Sequence, residues 1–203
     1  SRGLGDVYKR QIFKIITAAA GIEAGYGPES TLTGAPAITL PNTTTELTNY
    51  AGQACAGSDA VSLLTAFQYS CNTAFVEMGI DIGTDALRDT AHAFGIGETY
   101  DLGIPTSPGA LGDLPDEAAL GQSSIGQRDV TMSTLQAAVM AATIANDGER
   151  MKPYVVDKIT SSNLRDIKTI KPQSLNRAIP EETAATIEEM MRASEQHLSL
   201  IHI

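Results

Sequence analysis

The sequence predicts a single mixed α and β domain in which helix exceeds strand, and three observations support this prediction. The chain has 203 residues, of which 42% are hydrophobic, enough for one buried core. Apolar and small residues recur at helical spacing in several segments, whereas the strand-like runs are short. Stretches rich in Gly, Pro, Thr and Asn separate these segments and indicate loops.

The first 70 residues predict two helices on either side of an irregular segment. Residues 12–23 have apolar and small residues at helical spacing and are followed by Gly25 and Gly27, which predicts a buried helix that ends there. Residues 28–57 are rich in turn-forming residues, and "ITL" is their only strand-like run, so we expect an ordered surface excursion. Ser58 is a fair N-cap for a second helix in "SDAVSLLTAF".

The rest of the chain predicts four more helices and two strands. In order, these are a helix over about 73–79, a helix over 83–95, a long loop over 96–116, a helix over 131–146, short strands in "MKPYVVDKIT" and "IKTIK", and a last helix in "PEETAATIEEMMRASEQ". A loop of that length is unusual in a compact domain and is commonly functional. The last helix has Pro and two carboxylates at its start, as helix N-termini favour.

The charge and hydropathy of the chain argue against two classes of partner. A formal net charge of -10 at pH 7 repels phosphate backbones and anionic lipid headgroups, so we expect no nucleic-acid or membrane-surface binding. No apolar stretch reaches the roughly 20 residues that a membrane span needs. The three histidines share no metal-ligand spacing, so a zinc site is not expected.

A single lysine lies near the start of the first apolar helix. A buried amine is costly to leave charged and unpaired, so Lys14 must be neutral through a lowered pKa or hydrogen-bonded in a cleft. Both states suit a group that carries protons. The alternative is a lysine whose stem packs against apolar residues while its amine reaches solvent.

The segment "FQYSCNTAFVEMG" offers partners for that lysine. Ser70 and Asn72 fall on a short loop before a helix, whose start fixes two polar side chains on one side. A Ser-x-Asn triplet alone is a weak signal, and the chain has a second one at residues 161–163. The second triplet follows a strand and is typical of a plain turn, so the first is the better candidate.

Four blocks of the sequence together resemble a known family. "IFKIITAAAGIEAG", "SCNTAFVEMG", "FGIGETYDLGIP" and "QSSIGQRDVTMSTLQAAVMAATIANDGERMKP", in this order and at these spacings, are similar to the transpeptidase domain of penicillin-binding proteins, and most of all to the monofunctional class B enzymes of actinobacteria. The resemblance covers roughly residues 12–193. It implies the α/β fold that these transpeptidases share with serine β-lactamases, in which a helical part packs on a five-stranded sheet, here with an incomplete sheet.

The family uses three signatures, Ser-x-x-Lys, Ser-x-Asn and Lys-Thr/Ser-Gly, and the chain matches them unevenly. Lys14 matches the lysine of the first signature, but its serine position is Gln11, which cannot act as an acyl-accepting nucleophile. Ser70 and Asn72 match the second. The third is absent, since residues 168–170 read Lys-Thr-Ile and precede the last helix, whereas the family's strand follows it.

The two ends of the chain differ from the rest. Residues 1–11 hold three of the fourteen basic residues and join the apolar helix without a cap, and "HLSLIHI", residues 197–203, follows a finished polar helix. We therefore predict a non-native leader over 1–11, a partial transpeptidase domain over 12–193 and a non-native tail over 194–203. On this interpretation the nucleophilic serine was lost by truncation, and the N-terminal membrane anchor that the resemblance implies lies outside the chain.

The resemblance implies an activity for the intact protein. A serine activated by Lys14 would attack stem peptides of peptidoglycan that end in D-Ala-D-Ala, with Ser70 relaying a proton and Asn72 holding the lysine. β-Lactams would acylate the same serine, and other cell-wall synthesis proteins would be partners. The resemblance implies no metal or organic cofactor, and it implies a location on the extracytoplasmic face of the cell membrane.

Several alternatives to this interpretation stay open. The intact protein could be a β-lactam-sensing receptor domain that is not an enzyme, or a serine β-lactamase, although no water-activating motif for the latter stands out. The chain itself would be inactive without its serine and Lys-Thr-Gly. Cys55 and Cys71 could form a disulfide, which persists outside the cytoplasm and would attach the second signature to the preceding loop, or could both be free thiols.

Overall fold

The computed structural model describes the backbone of residues 2–202 and the side chains of residues 11–196. The helices are α1 (Arg2–Glu23), α2 (Leu63–Gln68), α3 (Asn72–Ala93), α4 (Glu117–Ser124), α5 (Thr134–Ala145) and α6 (Glu181–His202). The strands are β1 (Thr31–Thr33), β2 (Ala37–Thr39), β3 (Glu46–Thr48), β4 (Ala60–Ser62), β5 (Glu149–Met151), β6 (Lys158–Thr160), β7 (Asp166–Thr169) and β8 (Ser174–Arg177). The prediction of a helix-rich α/β chain is confirmed.

Helices α1 and α3 form the centre of the core. Phe13 and Ile16 of α1 are fully buried, as are Phe75 and Met78 of α3. The two helices approach closely at Gly21, where an added Cβ would lie 2.5 Å from the sulfur of Met78. Apolar burial of this extent is the main source of stability for a domain of this size. It also brings the first turns of α3 beside the segment of α1 that carries Lys14.

The excursion before α2 is more regular than the sequence suggests. Its strands form two antiparallel pairs, β1 with β4 and β2 with β3, whereas the sequence predicts one strand. The prediction of a helix from Ser58 is wrong at its start, because residues 60–62 pair with β1. Helix α2 begins only after Ser62, whose hydroxyl caps the amide of Thr65 at 3.1 Å.

The two helices predicted over 73–79 and 83–95 are two stretches of α3. They meet at Gly83, whose φ of 84° and ψ of 170° interrupt the helical backbone. The long loop over 96–116 is confirmed, with one isolated β-bridge between Ala110 and Thr131. Helix α4 follows it and is not among the predicted elements, although Asp116 caps it by accepting a hydrogen bond of 2.7 Å from the amide of Ala119.

The C-terminal third confirms both predicted helices and corrects the strands. Helix α5 begins three residues later than predicted, at a capping box formed by Ser133 and Gln136. The two predicted strands shorten to β6 and β7, which pair with each other, while β5 pairs with β8, and the sequence predicts neither β5 nor β8. The second Ser-x-Asn triplet lies in the exposed turn between β6 and β7, as predicted.

The backbone of the predicted leader and tail continues α1 and α6, so the expectation that the last helix is finished before "HLSLIHI" is wrong. The side chains of residues 11 and 194–196 are the ones described in these two segments, and the non-native origin of both segments stays a prediction. Among the residues that the structure describes, no helix is both long and apolar enough to cross a bilayer.

Candidate active site

Lys14 lies in the interior, and its amine contacts the other two predicted site residues. The residue is only 4% exposed. Its Nζ donates to the main-chain oxygen of Ser70 at 2.6 Å, to the Ser70 hydroxyl at 2.9 Å and to Oδ1 of Asn72 at 2.8 Å. The amine also lies 5.6 Å from the centre of the Phe75 ring, within cation-π range. This arrangement contradicts the alternative of a lysine whose amine reaches solvent.

Ser70 adopts a conformation that is unusual for a residue with a side chain. Its φ of 54° lies in the left-handed region, which costs a non-glycine residue about 1–2 kcal/mol. It ends α2 in a Schellman motif, in which the amide of Cys71 donates to the oxygen of Ala66 and the amide of Ser70 to that of Phe67. Glycine usually occupies this position. The serine here directs both its carbonyl and its hydroxyl oxygen to Lys14.

The side-chain amide of Asn72 is oriented from two sides. Asn72 is the first residue of α3, and its Oδ1 accepts from Lys14 while its Nδ2 donates to the main-chain oxygen of Thr48 at 2.8 Å. A flipped amide would place an N–H against the donating N–H groups of Lys14 and an oxygen against the main-chain oxygen of Thr48, so the two contacts fix one orientation. Thr48, the last residue of β3, is thus a neighbour of the site that the sequence does not predict.

A disulfide joins Cys55 to Cys71, which lies between Ser70 and Asn72. Of the two alternatives left open for these cysteines, the bonded one is confirmed. The two Cα atoms lie 5.7 Å apart, and the amide of Cys55 donates to the oxygen of Gly34 at 2.7 Å. The covalent bond therefore connects the turn before α3 to the excursion that precedes α2.

A further side-chain contact joins the excursion to α3, beyond Asn72. Glu77 accepts a hydrogen bond of 2.5 Å from the amide of Thr33 in β1. The excursion, which the sequence predicts only as an ordered surface segment, is therefore the support of the Ser70 turn. Its Thr, Asn and Pro content gives no sign of this role, because the contacts come from main-chain atoms and from residues far apart in sequence.

Gln11 lies on α1 three residues before Lys14, close to one helical turn away. Side chains at positions i and i+3 of a helix share a face, so residue 11 lies on the face that carries Lys14. Its side chain is exposed. A serine at this position would present a hydroxyl near the lysine, whereas the amide of glutamine offers no nucleophile.

Comparisons with known proteins identify the family of this chain. A family model for the penicillin binding protein transpeptidase domain matches residues 12–199. The chain is 45% identical over 199 residues to the peptidoglycan D,D-transpeptidase PbpA of Mycolicibacterium smegmatis, and 41% identical over 198 residues to PbpA of Mycobacterium tuberculosis. Each match covers 97% of this chain and 40% of the relative, so the chain spans well under half the length of these proteins.

A solved structure extends the comparison to three dimensions. Penicillin-binding protein A of M. tuberculosis, solved as a penicillin G acyl-enzyme complex, superposes with a TM-score of 0.89 and 42% identity, over 92% of this chain and 43% of that one. The same similarity holds for its imipenem acyl-enzyme complex. The fold implied by the resemblance and its likeness to actinobacterial enzymes are thereby confirmed. The chain belongs to the family of penicillin-binding protein transpeptidase domains.

Proposed function

We propose that this chain carries the proton-transfer half of a peptidoglycan D,D-transpeptidase site, with Lys14, Ser70 and Asn72 as its catalytic residues. The observation that carries the proposal is the placement of the Lys14 amine within 2.9 Å of oxygen atoms of both Ser70 and Asn72, in a buried position. A general base must lie within hydrogen-bonding reach of the groups with which it exchanges protons. The names of the mycobacterial relatives support the same activity.

The proposed reaction is acyl transfer through a serine at the position of Gln11. Neutral Lys14 takes the serine proton as the oxygen attacks the carbonyl carbon of the penultimate D-alanine, and the peptide C–N bond breaks. The departing amine of the terminal D-alanine receives a proton from Lys14 by way of the Ser70 hydroxyl. An amine of a second stem peptide then attacks the ester carbonyl, a new peptide C–N bond forms and the ester C–O bond breaks. The proton of the attacking amine passes through Ser70 to Lys14, and Lys14 gives a proton to the departing serine oxygen, which restores both the serine and the neutral lysine.

Asn72 has two parts in this scheme. Its Oδ1 holds the Lys14 amine in place through the 2.8 Å hydrogen bond, and its amide group, oriented by Thr48, would also bond the acyl chain of the substrate. β-Lactams would acylate the same serine and give the type of covalent complex seen for penicillin-binding protein A of M. tuberculosis. With glutamine at position 11 and no Lys-Thr-Gly in its sequence, the chain itself is proposed to be inactive.

The proposed location of the intact protein is the extracytoplasmic face of the cell membrane, held by an N-terminal anchor. The disulfide between Cys55 and Cys71 supports it, because disulfides persist in oxidising compartments and are rare in the cytosol. Peptidoglycan stem peptides ending in D-Ala-D-Ala are the proposed substrates, and other cell-wall synthesis proteins the proposed partners.

Labelling with a fluorescent penicillin tests the proposed activity. We would compare the chain as it stands with a Gln11→Ser variant extended through the family's Lys-Thr-Gly strand, and add Lys14→Ala and Lys168→Ala to that extended variant. We expect an adduct on the introduced serine in the extended variant, its loss with Lys14→Ala, and its retention with Lys168→Ala, since Lys168 lies in the exposed hairpin strand β7. Absence of labelling in a folded extended variant would contradict the proposal.

The lifetime and use of the adduct separate the alternatives. A transpeptidase holds the penicilloyl group for long times and transfers a stem-peptide acyl group to an acceptor amine. Rapid release with repeated turnover of the drug would indicate a serine β-lactamase. A stable adduct on a protein that transfers no stem peptide would indicate a β-lactam-sensing receptor domain.

A further inference from the structure

Helix α3 begins with a residue that cannot cap it. Cys71 occupies the N-cap position, where Ser, Thr, Asp or Asn commonly accepts a hydrogen bond from one of the first helical amides. The sulfur of Cys71 is committed to Cys55, and its side chain makes no capping bond. The first turn of the helix that carries Asn72 therefore needs an acceptor from elsewhere in the chain.

Asn49, 24 residues upstream of Thr73, supplies that acceptor. Its Oδ1 accepts from the main-chain amide of Thr73 at 3.1 Å, and the Thr73 hydroxyl lies 3.3 Å from the same oxygen. Its Nδ2 lies 3.1 Å from the Thr73 hydroxyl and donates to the main-chain oxygen of Ala35 at 3.0 Å. Asn49 is 7% exposed and Thr73 is fully buried, so these contacts are shielded from competing water.

The neighbouring residue extends the contact to the site itself. Thr48 accepts the hydrogen bond from the Asn72 amide, so two consecutive residues, 48 and 49, hold the first two residues of α3. Loss of either contact, Asn72 to Thr48 or Thr73 to Asn49, would shift Asn72 Oδ1, which lies 2.8 Å from the Lys14 amine.

We infer that Asn49 is a positioning residue for the site: by capping α3 through Thr73 it keeps Asn72 between Thr48 and Lys14. It touches neither the reacting atoms nor Lys14. The inference rests on the proposed function, which makes this cluster an active site. The position of the Lys14 amine can nevertheless be probed on this chain without any acyl transfer.

The experiment measures how fast the Lys14 amine reacts with an acetylating reagent, the N-hydroxysuccinimide ester of acetic acid. Peptide mass spectrometry gives the rate for Lys14 relative to that for exposed Lys152 in the same molecule. In Asn49→Ala we expect Asn72 to be displaced and to lose its hydrogen bond to the Lys14 amine. The ratio should then rise about tenfold, which corresponds to the loss of one strong hydrogen bond. Thr73→Val, which keeps the main-chain amide but removes the hydroxyl, should raise it less.

Two further variants separate positioning from general stabilisation. Asn49→Asp retains an acceptor for Thr73 and loses the donor to Ala35, so its ratio should stay within about twofold of the parent, helped by the favourable position of a carboxylate at a helix N-terminus. Asn176→Ala is the matched control, because Asn176 bonds the main-chain oxygen of Ala93 at the opposite end of the same helix. Its ratio should not change, even where the melting temperature falls.

Three results would overturn the inference: an unchanged ratio in Asn49→Ala, a rise in Asn49→Asp as large as that in Asn49→Ala, or an equal rise in Asn176→Ala. If Asn49→Ala does not fold, Asn49→Asp decides the matter, because it keeps the acceptor for the Thr73 amide, and a rise of about tenfold in the ratio in Asn49→Asp would overturn the inference. Failure of penicillin labelling is a separate result, since the acetylation rate of Lys14 does not depend on it.

Discussion

The amine of Lys14 lies 2.6 Å from the main-chain oxygen of Ser70, closer than its 2.9 Å to the hydroxyl of the same residue. A substitution at position 70 can remove the hydroxyl but leaves the carbonyl. The lysine is thus held by backbone that depends on the left-handed turn at Ser70, and the hydroxyl can serve proton transfer without being the sole anchor.

This relationship predicts the order of stability of two variants. Ser70→Ala and Ser70→Gly both lose the hydroxyl, but only alanine keeps the cost of a side chain at φ of 54°. In urea titrations we expect the free energy of unfolding of Ser70→Gly to be about 1 kcal/mol higher than that of Ser70→Ala, so that the glycine variant is the more stable one. Ala141→Gly, in the exposed middle of α5, is the control and should be destabilising by a similar amount. Equal stability of the two Ser70 variants would show that the turn carries no such cost.

The disulfide predicts a large effect of reduction on stability. It closes a loop of about 15 residues, for which the chain-entropy model gives roughly 3 kcal/mol. Urea unfolding with and without dithiothreitol should differ by about that amount in the parent. The Cys55→Ser, Cys71→Ser double variant is the control, because reductant should not change its midpoint. Two titratable thiols in the oxidised protein would refute the bond.

The sequence predicts the site better than the support around it. Lys14, Ser70 and Asn72 are identified because a buried charge needs partners and because their spacing matches a known family. Their observed proximity agrees with that prediction. The sequence does not predict the supporting residues Thr48 and Asn49. Thr48 acts through its main-chain oxygen, and Asn49 caps a helix from 24 residues away.

The errors in the fold have a similar cause. The strands β1, β3, β4, β5 and β8, which the sequence does not predict, are three or four residues long, too short for alternation to be recognised. They exist because a partner strand distant in sequence satisfies their backbone, as β4 does for β1. The helix predicted from Ser58 began at the wrong serine, since tertiary pairing of residues 60–62 outweighs the local capping preference.

Tyr26 predicts a loss of stability at alkaline pH. Burial, and then a hydrogen bond of 2.7 Å to Asp81, raise the pKa of Tyr26 to about 12 from its usual value of about 10. Below pH 10 both folded and unfolded states keep the proton, and the stabilisation is complete. As the pH rises from 10 to 12 only the unfolded state ionises, so the free energy of unfolding falls.

Urea titrations between pH 9 and 11 measure how steeply the free energy of unfolding falls with pH. Tyr26→Phe should reduce this slope, and Tyr50→Phe, at a side chain 93% exposed, should not. An unchanged slope in Tyr26→Phe would contradict the assignment.

Arg150 attaches the start of the long loop over 96–116 to the body of the domain, and its removal should destabilise the protein. The residue is 4% exposed, and its guanidinium donates to Glu98 at 3.0 Å, to the Tyr100 hydroxyl at 2.9 Å and to Asn176 at 2.7 Å. Arg150→Met removes all three donors and leaves the buried Tyr100 hydroxyl and the half-buried Asn176 without this partner, so we expect a loss of about 3 kcal/mol in unfolding free energy and faster proteolysis within the loop. Arg88→Met is the matched control, because its ion pair with Asp85 at 3.0 Å is exposed and contributes less than about 1 kcal/mol. Equal losses of unfolding free energy in the two variants would mean that Arg150 acts only as a surface charge and does not hold the loop.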